Sequence, residues 1–351
     1  MINDYSSLMK NYVIMRTITS FIFLLVSLSI IGQRKTTISF NKNIEFLGYI
    51  IEIADRQDND PNHQISKIIH QFPGNTQQKV FSELLQIAAN IDYSTLIHLA
   101  YYLPEFPLES DYSFPEELSN AFGYMTNEEY NNMIQKLNDF YKFSQFEKIW
   151  NDLANEREKT ITLINEMKPK DEFFDKMEWF YEKQFQHFNF SPSLTLWPAG
   201  FGLTDIEKSI ANYIFGPIKD FQFRNKQSFI THAIHEFGHS FVNAVVLQNA
   251  KEILNSSYLF ESIEKDIKPQ GYSNWETCVI EHFVRAGEVI INEELGHLDE
   301  SEAVLKEYVN ERKWIYLPFI IDKLKHYKLE NKMSYKSAVA ETIKDLKTIE
   351  K

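Results

Sequence analysis

The sequence predicts an α+β protein that is predominantly α-helical: a helical N-terminal region, then a part in which a small sheet precedes one central helix. Three observations carry this. From Asn43 onward, apolar residues recur at three- and four-residue spacing over most of the chain, as on the buried faces of helices. Two stretches, Phe188 to Leu196 and Ala211 to Phe215, are instead rich in aromatic and β-branched residues and are bounded by Trp197-Pro198-Ala199-Gly200 and Gly216-Pro217. Immediately after them, Phe229 to Asn243 returns to an apolar helical pattern and holds His235-Glu236-Phe237-Gly238-His239.

In chain order, Thr36 to Phe40 alternates weakly and suggests a short strand. Ile44, Leu47, Ile50, Ile51 and Ala54 open the helical region, and Asp58-Asn59-Asp60-Pro61-Asn62 is a turn by composition. Further helices are expected around 64–71, 76–90 and 92–103, the last stopped by Leu103-Pro104-Glu105-Phe106-Pro107. Thr126 with Glu129 three residues on forms a capping box, and helices continue with one break through Phe140, Trp150 and Met167. Lys168-Pro169-Lys170-Asp171 marks a boundary before a helix over 171–184. Beyond the central helix, a polar connection around 254–273 leads to a second strong helix from Asn274 to Glu294. Helices over 300–328, with a break at Pro318, and over 334–348 complete the chain.

The N-terminus is set aside from the fold. Met15-Arg16 precedes an apolar run from Phe21 to Ile31. Eleven helical residues span about 17 Å against a hydrocarbon core of roughly 30 Å, too short to cross a membrane comfortably and suited to a signal peptide. Residues 1–32 are therefore expected to be a bacterial-type signal peptide, cleaved near Gly32-Gln33 or earlier at Ser27-Leu28-Ser29, with the mature chain exported to the periplasm or secreted and no stable membrane span remaining; the alternative is an uncleaved membrane anchor. The formal net charge of −13 over 351 residues, without a basic block, excludes nucleic acid as a partner. The single cysteine, Cys278, rules out an intramolecular disulfide and reads as a buried apolar residue.

His235 and His239 stand one helical turn apart, so both imidazoles lie on one face and can close on a single tetrahedral zinc. Glu236, beside the first, is then placed as general base toward a metal-activated water. His232 lies on a similar face and is a neighbour or helper. A catalytic zinc needs a third protein ligand. Val242 and Val245 remove any HExxHxxGxxH continuation, so that ligand must come from farther along the chain. In the helix 274–288, Glu281 sits amid Cys278, Val279, Ile280, Phe283 and Val284, where a carboxylate is costly unless paired or metal-bound. Glu281 is the expected ligand, with Glu276 and His282 as alternatives. Arg285, one turn later, would orient it or bind a substrate carboxylate. Tyr272, His297, Tyr308 and Tyr316 are candidates for stabilising an oxyanion.

On His235, Glu236, His239 and Glu281 the sequence resembles the zincin metallopeptidases, in particular the gluzincins, whose HExxH is completed by a glutamate on a downstream helix. More loosely it resembles an exported bacterial domain family of unknown function, on Ile44-Glu45-Phe46-Leu47, Phe140-Tyr141 to Phe146, His235 to Asn243, and Glu281 to Arg285-Ala286. The resemblance implies one Zn2+ per chain, a peptide or protein substrate, and hydrolysis of an amide bond with Glu236 as base. It divides the mature chain into a helical region over 33–170 and a zincin-like region over 171–351, which together can form one compact domain. The alternative is a zincin-like extracytoplasmic binding or scaffold domain with little or no catalysis. The metal content of the purified protein separates the two.

Overall fold

A computed structural model describes residues 34–54, 84, 93–122, 125–196, 200–205, 208–216, 225–330 and 333–349. The apolar run Phe21 to Ile31 and the helices expected over 64–71 and 76–90 fall outside these residues, apart from Leu84. Thr36–Lys351 groups into a single unit. Among the described residues, no helix is long and apolar enough to cross a membrane.

The architecture is α+β and mostly helical, with one small mixed sheet. Strand β1 (Lys35–Ile38) leads to α1 (Lys42–Ala54) and α2 (Tyr93–Tyr102). Then come α3 (Glu116–Phe122), α4 (Asn127–Phe143), α5 (Phe146–Asp152), α6 (Ala154–Met167) and α7 (Asp171–Tyr181). The Thr126 cap forms as expected, accepting from the Glu129 N–H while the Glu129 carboxylate accepts from the Thr126 N–H. The helical run to Met167 breaks twice instead of once. Gln145 adopts φ 54° ahead of α5, and Leu153 separates α5 from α6.

The sheet contains a strand that composition did not announce. Between β2 (His187–Pro192) and β4 (Ile210–Phe215) lies β3 (Gly200–Asp205), and the spatial order is β1-β2-β4-β3. β4 runs parallel to β2 and antiparallel to β3, with Asn189 opposite Asn212 and Gly202 opposite Tyr213. Alternation along the strands gives the sheet two faces. Phe188, Phe190, Ala211, Tyr213 and Phe215 join the main core with Phe229, Ala233 and Phe237 of α8 (Lys226–Leu247). On the other face, Leu203 and Ile214 pack with Ile44 of α1 and with Ile97 and Ala100 of α2.

After α8 comes α9 (Ala250–Asn255). The connection expected to be merely polar is wound into short helical turns over Ser257–Gln270. Helix α10 (Trp275–Glu294) is buried along most of its length and packs lengthwise on α8. Helix α11 (Leu298–Lys306) runs into a π turn at Glu307–Glu311. Lys313, at φ 63°, follows it, so the break falls just ahead of Pro318, which sits in the first turn of α12 (Leu317–Glu330). Helix α13 (Tyr335–Leu346) closes the chain.

Candidate metal centre

Helix α8 starts at Asn225, whose side chain accepts from the Ser228 N–H in a reciprocal cap. Two turns in, the i, i+4 spacing stacks His235 and His239 on one side, with ring centroids 5.2 Å apart. Glu281 of α10 faces both. Its Oε2 is 3.6 Å from His235 Nε2, and its Oε1 is 3.5 Å from His239 Nε2. One ligand atom from each of the three residues lies within 4.8 Å of the others.

Those separations suit a shared ion. Tetrahedral ligands at roughly 2.0–2.2 Å from a zinc stand about 3.3–3.5 Å from one another. Both ring orientations also fit. The Nδ1 of His235 is held at 2.9 Å by Glu288 Oε2, and that of His239 at 3.1 Å by Asn243 Oδ1. Each Nδ1–H is thereby engaged, which leaves both Nε2 lone pairs for a ligand ion. Burial, reinforced by the Arg285 charge, pushes the His235 pKa well below the ordinary histidine value, so its imidazole is neutral and competent to bind.

Glu281 is 6% exposed, yet its Oε2 has no hydrogen-bond partner. Arg285 Nη2 stands 3.0 Å away at ion-pair distance but outside hydrogen-bond alignment. Burial alone would raise this carboxyl, but nearby positive charge, Arg285 foremost, outweighs it, and the net pKa is lowered. A buried, ionised carboxylate whose Oε2 lacks a hydrogen-bond partner, facing the Nε2 atoms of two histidines, is a donor set that suits a divalent zinc.

Glu236 lies beside this cluster, 5% exposed. Burial, and after it the charge of Glu281, lifts its pKa well above the ordinary carboxylate value. The Gly202 N–H donates to it. Strand β3 passes so close that a Cβ on Gly202 would stand 1.8 Å from the Glu236 carbonyl oxygen, and one on Gly200 2.4 Å from its Oε1. Only glycine allows that approach. Gly238, within the motif, faces the Tyr181 hydroxyl and Val284, each 3.4 Å from where its Cβ would be.

The remaining candidates separate clearly. His232 Nε2 is 3.9 Å from Glu236 Oε1, and its Nδ1 is 2.6 Å from the Tyr213 hydroxyl. Its pKa is pushed down to about 3, chiefly by burial. The Tyr272 hydroxyl accepts from Arg285 Nη2 at 3.0 Å, and burial, then the Glu281 charge, pushes its pKa up to about 12. Tyr308 donates to both oxygens of Glu288, at 3.1 and 2.9 Å. Glu276 is exposed on the first turn of α10 and stands outside the three-residue cluster. His282 is turned into an aromatic enclosure of Trp275, Trp314 and Tyr316, with its Nδ1 2.7 Å from the Cys278 carbonyl. His297 pairs with Gln227 at 2.6 Å, and Tyr316 donates to the Leu259 carbonyl. Cys278 is fully buried and its thiol is pushed up to about 12 by burial, which makes it inert.

Glu288 and Asn243 are site residues that the sequence reading did not single out. Both had a local signal: Glu288 falls two turns after Glu281 on the same face, and Asn243 one turn after His239. Tyr213 and the paired glycines of β3 had none, because their role depends on the sheet.

The fold and site define a predominantly helical α+β protein with a His-His-Glu cluster, its glutamate buried and its histidines partly so, between two central helices. The chain belongs to the family described as Domain of unknown function (DUF4932), whose profile matches residues 119–343, from α3 through the site and into α13. No curated protein and no solved structure matches it.

Proposed function

We propose that the chain is an exported zinc-dependent hydrolase of the gluzincin kind, acting on peptide bonds. The observation that carries this reading is the ionised carboxylate of Glu281, with one oxygen lacking a hydrogen-bond partner, placed 3.5 and 3.6 Å from two imidazoles whose rings are pre-oriented by Glu288 and Asn243. His235, His239 and Glu281 would hold the ion. When bound, it supplies Lewis acidity, which makes water a usable nucleophile near neutral pH.

The chain's own residues do the rest. Glu236 receives the proton of the attacking water on its carboxylate and returns it to the leaving amine, a role its raised pKa suits. Tyr272 keeps its phenolic proton at neutral pH and donates it as a hydrogen bond to the oxygen that gains charge. The Arg285 guanidinium holds that phenol in place. Strand β3 is the outer strand among the described residues and lies across α8, so an extended peptide adding to its open side would run past Glu236. Export rests on the sequence from Met15 to Ile31.

The test is metal analysis of the purified chain together with peptide cleavage by the wild type and Glu236→Gln. The expected result is about one zinc per chain in both, with turnover lower by roughly 10²–10⁴-fold in the variant. Equal turnover in the two would refute the role of Glu236. A chain with no zinc, and no rise in melting temperature when zinc is added, would instead be the non-catalytic scaffold.

A further inference from the structure

The sheet face turned away from α8 is split in two. Its upper half is apolar, Leu203 and Ile214 under α1 and α2. Its lower half is not. There the alternation of β2 places His187, Asn189 and Ser191, and that of β4 places Asn212, along a cavity of about 410 Å3 that α1 and α2 also line. That volume falls within the range of small-ligand sites, roughly 300–1,000 Å3. Asparagine is disfavoured in strands, and burying its amide is costly, so packing alone does not account for two of them side by side on the inner strands.

The two amides form a directed chain. The Thr37 and Ser39 hydroxyls donate to Asn189 Oδ1 at 2.8 and 2.9 Å. Asn189 Nδ2 donates to Asn212 Oδ1 at 3.1 Å, and Asn212 Nδ2 donates to the Tyr101 hydroxyl, also at 3.1 Å. The phenol at the end is left with a hydrogen to donate at the cavity wall. Asn212 is 1% exposed and Asn189 8%, so this chain is rigidly set.

The lysines and acids that line the cavity, two of each, are paired with one another, and Glu147, outside the lining, adds a second acid to Lys42. Lys42 Nζ is paired with Glu105 at 3.2 Å and Glu147 at 2.6 Å, and Lys208 with Asp205 at 3.0 Å. A phosphate or carboxylate would find each of these cations already matched by an acid, and a metal ion would find the acids matched by lysines. What the cavity offers is a neutral polar wall, with the Tyr101 hydroxyl fixed by the amide chain and turned to donate, beside the Tyr101 and Tyr102 rings set edge-to-face at 5.4 Å.

The geometry points to a second ligand site on this face, one that binds a neutral saccharide of one or two rings. It does not depend on the hydrolytic reading, because the sheet separates the cavity from His235 and Glu236: Asn212 and Tyr213 are neighbours in sequence and face opposite ways.

The test is saturation-transfer difference NMR on the whole chain, with glucose, galactose, N-acetylglucosamine, cellobiose and chitobiose as probes, each at millimolar concentration. At least one is expected to receive saturation, and equally so in wild type and in Glu236→Gln. Tyr101→Phe, which removes one hydroxyl and keeps the ring, is expected to weaken binding about three- to tenfold, and Asn212→Leu by more. Should Asn212→Leu lose its folding transition, Tyr101→Phe carries the test. No saturation of any sugar would overturn the proposal. So would binding unchanged in the folded variants, or binding abolished by Glu236→Gln. A melting-temperature rise with inorganic phosphate that Lys208→Ala removes, or with calcium that Asp205→Asn removes, would overturn the neutral character of the ligand.

Discussion

Glu281 and Glu45 are two carboxylates in equally dry surroundings, at 6% and 1% exposure, and the protein treats them in opposite ways. Glu45, on α1, is held by the segment that leaves β2: the Leu194 N–H donates to its Oε1 at 2.8 Å, and the Thr195 hydroxyl donates to its backbone carbonyl at 2.7 Å. Burial dominates over these bonds and pushes its pKa up to about 7. Glu281, on α10, has an oxygen without a hydrogen-bond partner, and although burial alone would raise it, its pKa is lowered, chiefly by the Arg285 charge. A buried acid with its bonds satisfied by the backbone pins two segments together. A buried acid kept charged, with one oxygen lacking a hydrogen-bond partner, is the feature on which the proposed ion site rests. The contrast lies in partners, not in burial.

Replacing Glu281 should break the second arrangement most severely. Glu281→Gln removes the negative ligand and leaves the Arg285 guanidinium, 2% exposed, without its nearest counter-charge. Losing one partner of a buried ion pair costs about 3–5 kcal/mol, so the metal-free variant should unfold at markedly lower urea concentration than metal-free wild type. Zinc content should fall well below one per chain. Full zinc occupancy in the variant would remove Glu281 from the ligand set and reopen the choice of third ligand.

The next largest effect concerns Glu45 and is a matter of pH. Its folded pKa, about 7, lies above the ordinary 4.5, so the native state binds the proton more tightly than the unfolded chain does. The stability this contributes is fully present below about pH 4.5 and is lost as pH rises through about 7. The difference of about 2.5 units corresponds to about 3 kcal/mol. Glu45→Gln, neutral at every pH and still able to accept from Leu194, should flatten that part of the profile. Urea melts of metal-free protein at pH 5 and pH 8 measure it: wild type should lose more stability between the two than the variant. Equal losses would mean that Glu45 does not titrate in this range.

How legible these features were follows from the distances over which they act. His235, Glu236 and His239 are fixed by helical spacing alone, and the Thr126–Glu129 cap by a separation of three residues, so both could be read directly. Glu281 was accessible through chemistry, as an acid in an apolar helix pattern. Strand β3 was not. Gly-Phe-Gly-Leu-Thr-Asp has weak strand propensity, and its extended form comes from pairing with β4 under a helix that demands glycine at 200 and 202. The same holds for His297 and Tyr316, which look like plausible helpers in the sequence and are drawn elsewhere by Gln227 and the Leu259 carbonyl. The asparagine chain behind the sheet depends on β2–β4 register, which no local pattern specifies.

Glu288 sharpens the comparison because it combines both treatments within the site. It is 2% exposed and, like Glu45, has satisfied oxygens and a pKa pushed up to about 7, mainly by burial. Two of its bonds come from Tyr308, while Oε2 also meets His235 Nδ1 at 2.9 Å, so its influence reaches the cluster through an imidazole. Glu288→Gln keeps the shape and an acceptor but removes the charge that makes His235 a better donor. Residues behind a metal-binding histidine typically change affinity by about 10–100-fold. The variant should therefore bind zinc that much more weakly in competition with a chromophoric chelator, while its metal-free melting temperature stays close to that of wild type. A loss of metal-free stability comparable to that of Glu281→Gln would place Glu288 with the structural acids. Unchanged zinc affinity would show that Glu288 sets the ring's direction without tuning the metal.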